Sequence, residues 1–151
     1  MYEAKLESMG LKLPPVPKPV AAYVPAVMVG KYIYTSGQLP LVDGELAYKG
    51  KMGRELTEDQ GYAAAKICAV NCLSAVREMA GSLDHVEKIV KVTGFVNSAE
   101  GFVNQPKVIN GASELLGEIF GEAGRHARSA VGVSELPLGA AVEVEVVVKI
   151  K

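Results

Sequence analysis

The last eleven residues, AVEVEVVVKIK (141–151), decide the fold. They alternate strictly, so an extended chain carries Val142, Val144, Val146, Val148 and Ile150 on one side and Glu143, Glu145, Val147 and Lys149 on the other. An unbroken apolar row on one side of a strand needs helices over it. The stretch before it, ARSAVGVS (127–134), sorts into Ala127, Ser129, Val131 and Val133 against Arg128, Ala130, Gly132 and Ser134. The second set sets one long cation among very small side chains, which leaves a hollow beside the guanidinium. Glu135–Gly139 (ELPLG) joins the two strands.

Working backwards, two segments supply the covering helices. Pro106–Phe120 places Val108, Ile109, Ala112, Leu115, Leu116 and Ile119 on one side and stops at Gly121. Thr57 opens the other with a capping box completed by Gln60. Tyr62, Ala65, Ala69, Cys72, Leu73, Val76 and Met79 then recur at three- and four-residue steps to Gly81, an alanine-rich stripe that permits close approach. Val86–Asn97 is β-branched and reads as a long strand, with Gly94 a candidate bulge. Tyr23–Val29 and Lys31–Ser36 read as a hairpin around Gly30 and Lys31. Residues 40–56, with Pro40, Asp43-Gly44, Gly50 and Gly53, read as a long loop of the kind that is usually functional or mobile. The order β-β-α-β-α-β-β predicts an α+β domain over residues 20–151, two helices on one face of a mainly antiparallel sheet. Residues 1–19 precede it as a short helix (Glu3–Met9) and an extended Pro-rich segment, PPVPKP (14–19).

Composition narrows the classes. The 151 residues are 49% hydrophobic and 22% charged, a globular mix. A net charge of −1 gives no basic excess for a nucleic-acid partner. No apolar run approaches the ~20 residues of a membrane span, and charges throughout residues 1–13 leave no signal-peptide core. A cytoplasmic protein is expected. Cys68 and Cys72, four apart on a helix, suit buried small hydrophobes in a reducing compartment better than a disulfide. With His85 and His126 they match no zinc spacing, so no metal is expected. His85 reads as structural, and Gly117, Gly121 and Gly124 follow a helix rather than a strand, so they make no phosphate loop.

Ile89–Asn97 carries apolar residues on both sides, whereas a sheet with one wet face alternates more cleanly. The face away from the helices therefore reads as partly dry, and a homo-oligomer is expected to cover it. Arg128 offers a planar fork suited to bidentate capture of a carboxylate, and Glu143 on an adjoining strand could direct a water at the captured molecule. The same spacing also fits a structural cross-strand pair.

Several segments, in order and spacing, resemble one family: Tyr23-Val24, YTSGQLP (34–40), Val96-Asn97, Ala127-Arg128-Ser129, Glu135-Leu136-Pro137 and VEVE (142–145). This is the YjgF/RidA family of reactive-intermediate deaminases, with an older label of L-PSP endoribonuclease. The resemblance spans about residues 20–150. It implies a chorismate-mutase-like fold assembled as a homotrimer with clefts between subunits. It also implies hydrolysis of 2-imino acids to 2-oxo acids and ammonia, with no metal or organic cofactor. By position, Arg128 would hold the substrate carboxylate and Glu143 would position the attacking water. Tyr23 and Ser36 would line the cleft, the Ala130 backbone would face the imine, and Asn110 lies near a family cleft position. The sequence departs from the family at Ala130, where a cysteine is common, and at His126, where a proline is usual. His126 either enters the cleft as a titrating group or sits on the surface at the start of its strand. The implied partner is a small imino or oxo acid. A carboxylate-binding trimer without turnover is the alternative, and ribonuclease activity the less favoured one.

Overall fold

The chain is described by a computed structural model over residues 1–19 and 22–151; the expected domain start at Val20 lies outside the described residues. Helix α1 (Tyr2–Ser8) leads into an extended segment, then strands β1 (Ala26–Val29) and β2 (Tyr32–Thr35). A small hairpin, β3 (Leu41–Val42) and β4 (Glu45–Leu46), precedes helix α2 (Glu58–Ala80). Strand β5 (Val86–Asn97), helix α3 (Gln105–Phe120), β6 (Ala127–Val133) and β7 (Val142–Ile150) complete the chain. The main sheet runs β1-β2-β7-β5-β6 and is antiparallel except for the parallel pair β5–β6. A parallel pair needs a crossover, and α3 provides it.

The apolar row of β7 is where the alternation puts it. Val142, Val144 and Val148 are sealed under the helices together with Val92 and Val96 of β5. The buried side of α3 is the expected set, Val108, Ile109, Ala112, Leu115, Leu116 and Ile119. The α2 stripe is broader than its periodicity: Ala64, Cys68 and Ala75 are buried too, while Met79 reaches solvent and Tyr62 hydrogen-bonds Glu114 of α3 at the helix surface. A helix wedged between a sheet and a second helix buries two sides, which one stripe does not capture. Both cysteines are reduced, buried and aimed at β7, with Cys68 Sγ 3.6 Å from the Val142 carbonyl and Cys72 Sγ 3.2 Å from that of Val144. The Thr57–Gln60 capping box is formed in both directions.

Residues 40–56 depart from the expected loop in being stitched to the sheet. Asp43 and Gly44 both have positive φ (52° and 82°), the geometry of a two-residue hairpin turn. Met52 is sealed from solvent and exchanges backbone bonds with Asn97 (2.8 Å) and Ala99 (3.0 Å). Lys51 Nζ donates to Asn97 Oδ1 at 2.9 Å and also to the Ser134 carbonyl, while Asn97 Nδ2 donates to the Ala140 carbonyl at 3.1 Å. Asn97 thus gathers three connections at one end of the sheet. Helix α1 is docked rather than loose. Its first two N–H groups donate to Asp84 Oδ1 at 2.6 and 3.1 Å, and the Tyr2 ring packs on Phe120 with centroids 4.7 Å apart.

Candidate functional site

The structure divides the expected site residues between two places. Register explains the division. β5 lies between β7 and β6, with Phe95 opposite both Glu143 and Val131, and Val92 opposite both Val146 and Arg128. Residues facing each other across a sheet share a side. Arg128 is therefore on the helix side with buried Val92 and Val146, and Glu143 is on the open side with Val131. The expectation that Glu143 stands on a strand adjoining that of Arg128 is corrected: a full strand and the thickness of the sheet separate them within one chain. The order of the last three strands in space differs from their order in sequence, because α3 carries β6 past β5 to the edge.

Arg128 is half-buried and held by α3. Its Nη1 donates to Asn110 Oδ1 at 2.8 Å and to Ser113 Oγ at 3.2 Å, and Nη2 reaches the Pro106 carbonyl at 3.4 Å. Asn110 and Ser113 are three apart on the helix and so share its side. The Arg128 Nε and its second Nη2 N–H have no acceptor among the described residues, nor has the Asn110 amide nitrogen. His126 also turns to this side. Its Nε2 is 2.9 Å from Ser113 Oγ and its Nδ1 2.6 Å from the Gly124 carbonyl. Burial, then the cations Arg128 and Lys88, push its pKa below the usual histidine value. Ala130 packs its methyl toward the core, so this position presents only main chain, on a strand whose outer edge is unpaired. One cluster thus joins Asn110, Ser113, His126 and Arg128.

The second place surrounds Glu143. Between the pairs Tyr34–Val147 and Gln38–Val144, three residues of one strand face two of the other, a bulge. Thr35 Oγ1 fills the gap by accepting the Val146 N–H at 3.0 Å. The bulge brings Gly37 onto the Glu143 side chain so closely that a methyl group at Gly37 would occupy the carboxylate's position. A cleft of 260 Å³ opens here, lined by Tyr23, Gly37, Gln38, Leu138 and Glu143. Burial, reinforced by neighbouring Glu145, raises the Glu143 pKa. A carboxylate lifted toward neutrality accepts protons better than an exposed one. Ser36 plays a different part from the expected cleft wall: its hydroxyl donates to the Val24 carbonyl at 2.6 Å and its N–H to that of Pro25 at 2.8 Å, fixing the turn that carries Tyr23. Gly37 and Ser113 were not singled out by sequence; the Gly after Ser36 and the i+3 spacing from Asn110 were the available signals.

The open side of the sheet carries exposed apolar residues. Val27, Val29, Tyr32, Tyr34 and Val131 are 48%, 65%, 39%, 45% and 43% exposed. No helix among the described residues is long and apolar enough to cross a membrane.

A family profile described as "YjgF/chorismate mutase-like, putative endoribonuclease" matches residues 3–150, so all of α1 but Tyr2 falls within the matched stretch. Protein TCP17 of Trypanosoma cruzi is 45% identical over 97% of this chain and 92% of its own. A protein of Dermatophagoides farinae named 2-iminobutanoate/2-iminopropanoate deaminase is 30% identical over 93% of this chain and 95% of its own. Among solved structures, a protein of unknown function from Agrobacterium tumefaciens superposes with a TM-score of 0.91 at 42% identity, covering 99% of this chain and 92% of that one.

Proposed function

The chain belongs to the YjgF/RidA family, and from that premise we propose that it hydrolyses 2-imino acids to 2-oxo acids and ammonia in clefts between subunits of a homotrimer. The observation that carries the reading is Arg128: a guanidinium clamped on one side by Asn110 and Ser113, with unused N–H groups on the other. Such a fork takes a carboxylate in two parallel bonds and fixes its plane. Glu143 points into a different cleft on the opposite side of the same sheet. Each chain therefore carries both halves, and neither completes a site alone. The apolar open side supplies the surface through which a second copy would bring its Arg128 to this chain's Glu143.

The reaction asks little of the protein. With the carboxylate held, the imine carbon sits at a fixed distance from a water bound to Glu143. Glu143 takes a proton from that water as its oxygen bonds to carbon, and the imine nitrogen, protonated, accepts the electron pair. Glu143 then returns that proton to the amino nitrogen, and the carbinolamine expels ammonia as its hydroxyl proton passes back to the carboxylate and the carbonyl forms. Placement and a poised carboxylate account for the acceleration, without a covalent intermediate. An assay coupling a threonine dehydratase to 2-oxobutanoate release tests this. Wild type is expected to speed release over the spontaneous rate, and Arg128→Ala to lose at least about tenfold of that acceleration. Equal rates for the two proteins overturn the reading. A 2-oxo acid that raises the melting temperature in a protein with no acceleration at all would indicate a carboxylate-binding trimer instead.

A further inference from the structure

Behind Arg128 runs a hydrogen-bond chain that carboxylate capture does not by itself require. It passes from the Gly124 carbonyl to His126 Nδ1 (2.6 Å), from His126 Nε2 to Ser113 Oγ (2.9 Å), and from Ser113 Oγ to Arg128 Nη1 (3.2 Å). A carbonyl can only accept, so Nδ1 carries the proton and Nε2 of the neutral ring is a lone pair. The Ser113 hydroxyl then donates to Nε2 while its oxygen accepts from Arg128. Its proton is fully committed, and it offers a ligand nothing.

Protonation of His126 reverses the chain. Nε2 becomes a donor, and Ser113 Oγ accepts from both His126 and Arg128 on its two lone pairs. Its own proton is released to turn toward an anion held on Arg128. One titration therefore adds a charge and a hydroxyl donor beside the guanidinium. We propose that Ser113 and His126 are positioning residues that make carboxylate capture by Arg128 stronger as His126 takes up a proton. This rests on the reading of Arg128 as the carboxylate site. The charged groups acting on His126 are Arg128, two residues on in β6, and Lys88 on β5; α3 contributes uncharged Ser113, and the 3₁₀ turn at 121–124 the Gly124 carbonyl. Lys88 Nζ is itself tied to the Glu122 carbonyl at 3.2 Å. With two cations and a partly desolvated ring, the resting histidine is neutral near pH 7, and a bound anion offsets the like-charge repulsion that keeps it so.

The experiment is calorimetric binding of 2-oxobutanoate from pH 8 to pH 5, with the His126 ring followed by NMR. Wild type is expected to bind about tenfold more tightly at the acid end, one unit of His126 pKa being worth a factor of ten. The His126 titration is expected to move upward when 2-oxobutanoate is added. His126→Asn and Ser113→Ala should each flatten the affinity profile, Ser113→Ala while keeping a titrating His126. Because Glu143 also titrates, the series is repeated with Glu143→Gln, where the His126-dependent slope must persist. Unchanged slopes in both relay variants, or a His126 titration indifferent to the anion, overturn the proposal. Binding with the expected slope but no turnover removes the deaminase reading and leaves the relay. No binding at any pH removes the relay and the carboxylate site together.

Discussion

Glycine 37 shows how one missing side chain sets the position of a neighbouring carboxylate. Glu143 lies across the space a Gly37 side chain would take, and every clashing atom belongs to the flexible carboxylate arm rather than to backbone. Gly37→Ala is therefore expected to cost under about 1 kcal/mol of stability, since the arm can swing aside. The same swing misplaces the carboxylate by more than a bond length, and kcat/KM for imine hydrolysis should fall by about a hundredfold. Thermal melting and the coupled assay on one preparation separate the two effects; a parallel loss of both would mean that Gly37 serves the fold. Glu143 itself has a pH signature. Below the ordinary carboxyl value of 4.5 it is neutral in the folded and unfolded chain alike. As pH rises the unfolded carboxyl ionises first, because burial raises the folded value, so the folded chain holds more protons and loses stability through that interval. Glu143→Gln is spared this loss. It should melt higher than wild type near neutral pH, and the two curves should converge below about pH 4.5. At this scale the sequence was informative where chemistry resides in unusual side chains. Arg128, Glu143, Asn110 and Tyr23 stand out by type or by resemblance. Gly37 and Ser113 do not, because their roles are made by what folding brings against them.

At the scale of elements, alternation and three-to-four-residue spacing locate every helix and every strand of the main sheet to within a few residues. What they do not contain is adjacency in space. Reading β6 and β7 as neighbours follows their order in the chain. The crossover through α3 instead sends β6 to the edge beside β5 and leaves Arg128 and Glu143 on opposite sides of the sheet. The ties of Lys51 and Met52 were likewise hidden, since they depend on partners some 45 and 80 residues away, as Lys51 to Asn97 and Ser134, whereas the β3–β4 hairpin closes locally on its Asp43-Gly44 turn. Helix spacing offers a test at this level. Gly111 of α3 faces the backbone of α2 at Tyr62, where an added methyl meets a carbonyl oxygen and cannot be accommodated by a rotamer change. Gly111→Ala should force the helices apart at a cost of about 1–3 kcal/mol. For a domain of this size that is a fall of roughly 3–10 °C in melting temperature. Asn110 lies one residue away and would move with the helix, so affinity for a 2-oxo acid should weaken too. A variant that melts like wild type would show that the two helices already have slack between them.

At the scale of the whole molecule, Arg128 and Glu143 of one chain stand in separate places on opposite sides of the sheet. Arg128, braced by α3, looks out at one edge of the sheet, and Glu143 sits in the cleft beside the β2 bulge. The open side of the sheet exposes Val27, Val29, Tyr32 and Tyr34 on β1 and β2 and Val131 on β6. If a second copy docks there, the two halves come from different subunits, and damage to one half is repairable by a neighbour damaged in the other. Arg128→Ala and Glu143→Gln are each expected to be inactive alone. Unfolded together in equal amounts and refolded, they should regain activity. In a closed ring whose clefts each take arginine from one subunit and glutamate from the next, random mixing leaves about one cleft in four with both groups intact. The recovered rate should therefore approach about a quarter of wild type. The double variant Arg128→Ala/Glu143→Gln mixed equally with wild type is the control: random mixing leaves about one cleft in four with both groups if they come from two subunits, and about one in two if they come from one. The mixture of single variants gives the sharper contrast. If both groups act within one chain it stays inactive, and if they meet across the interface it does not.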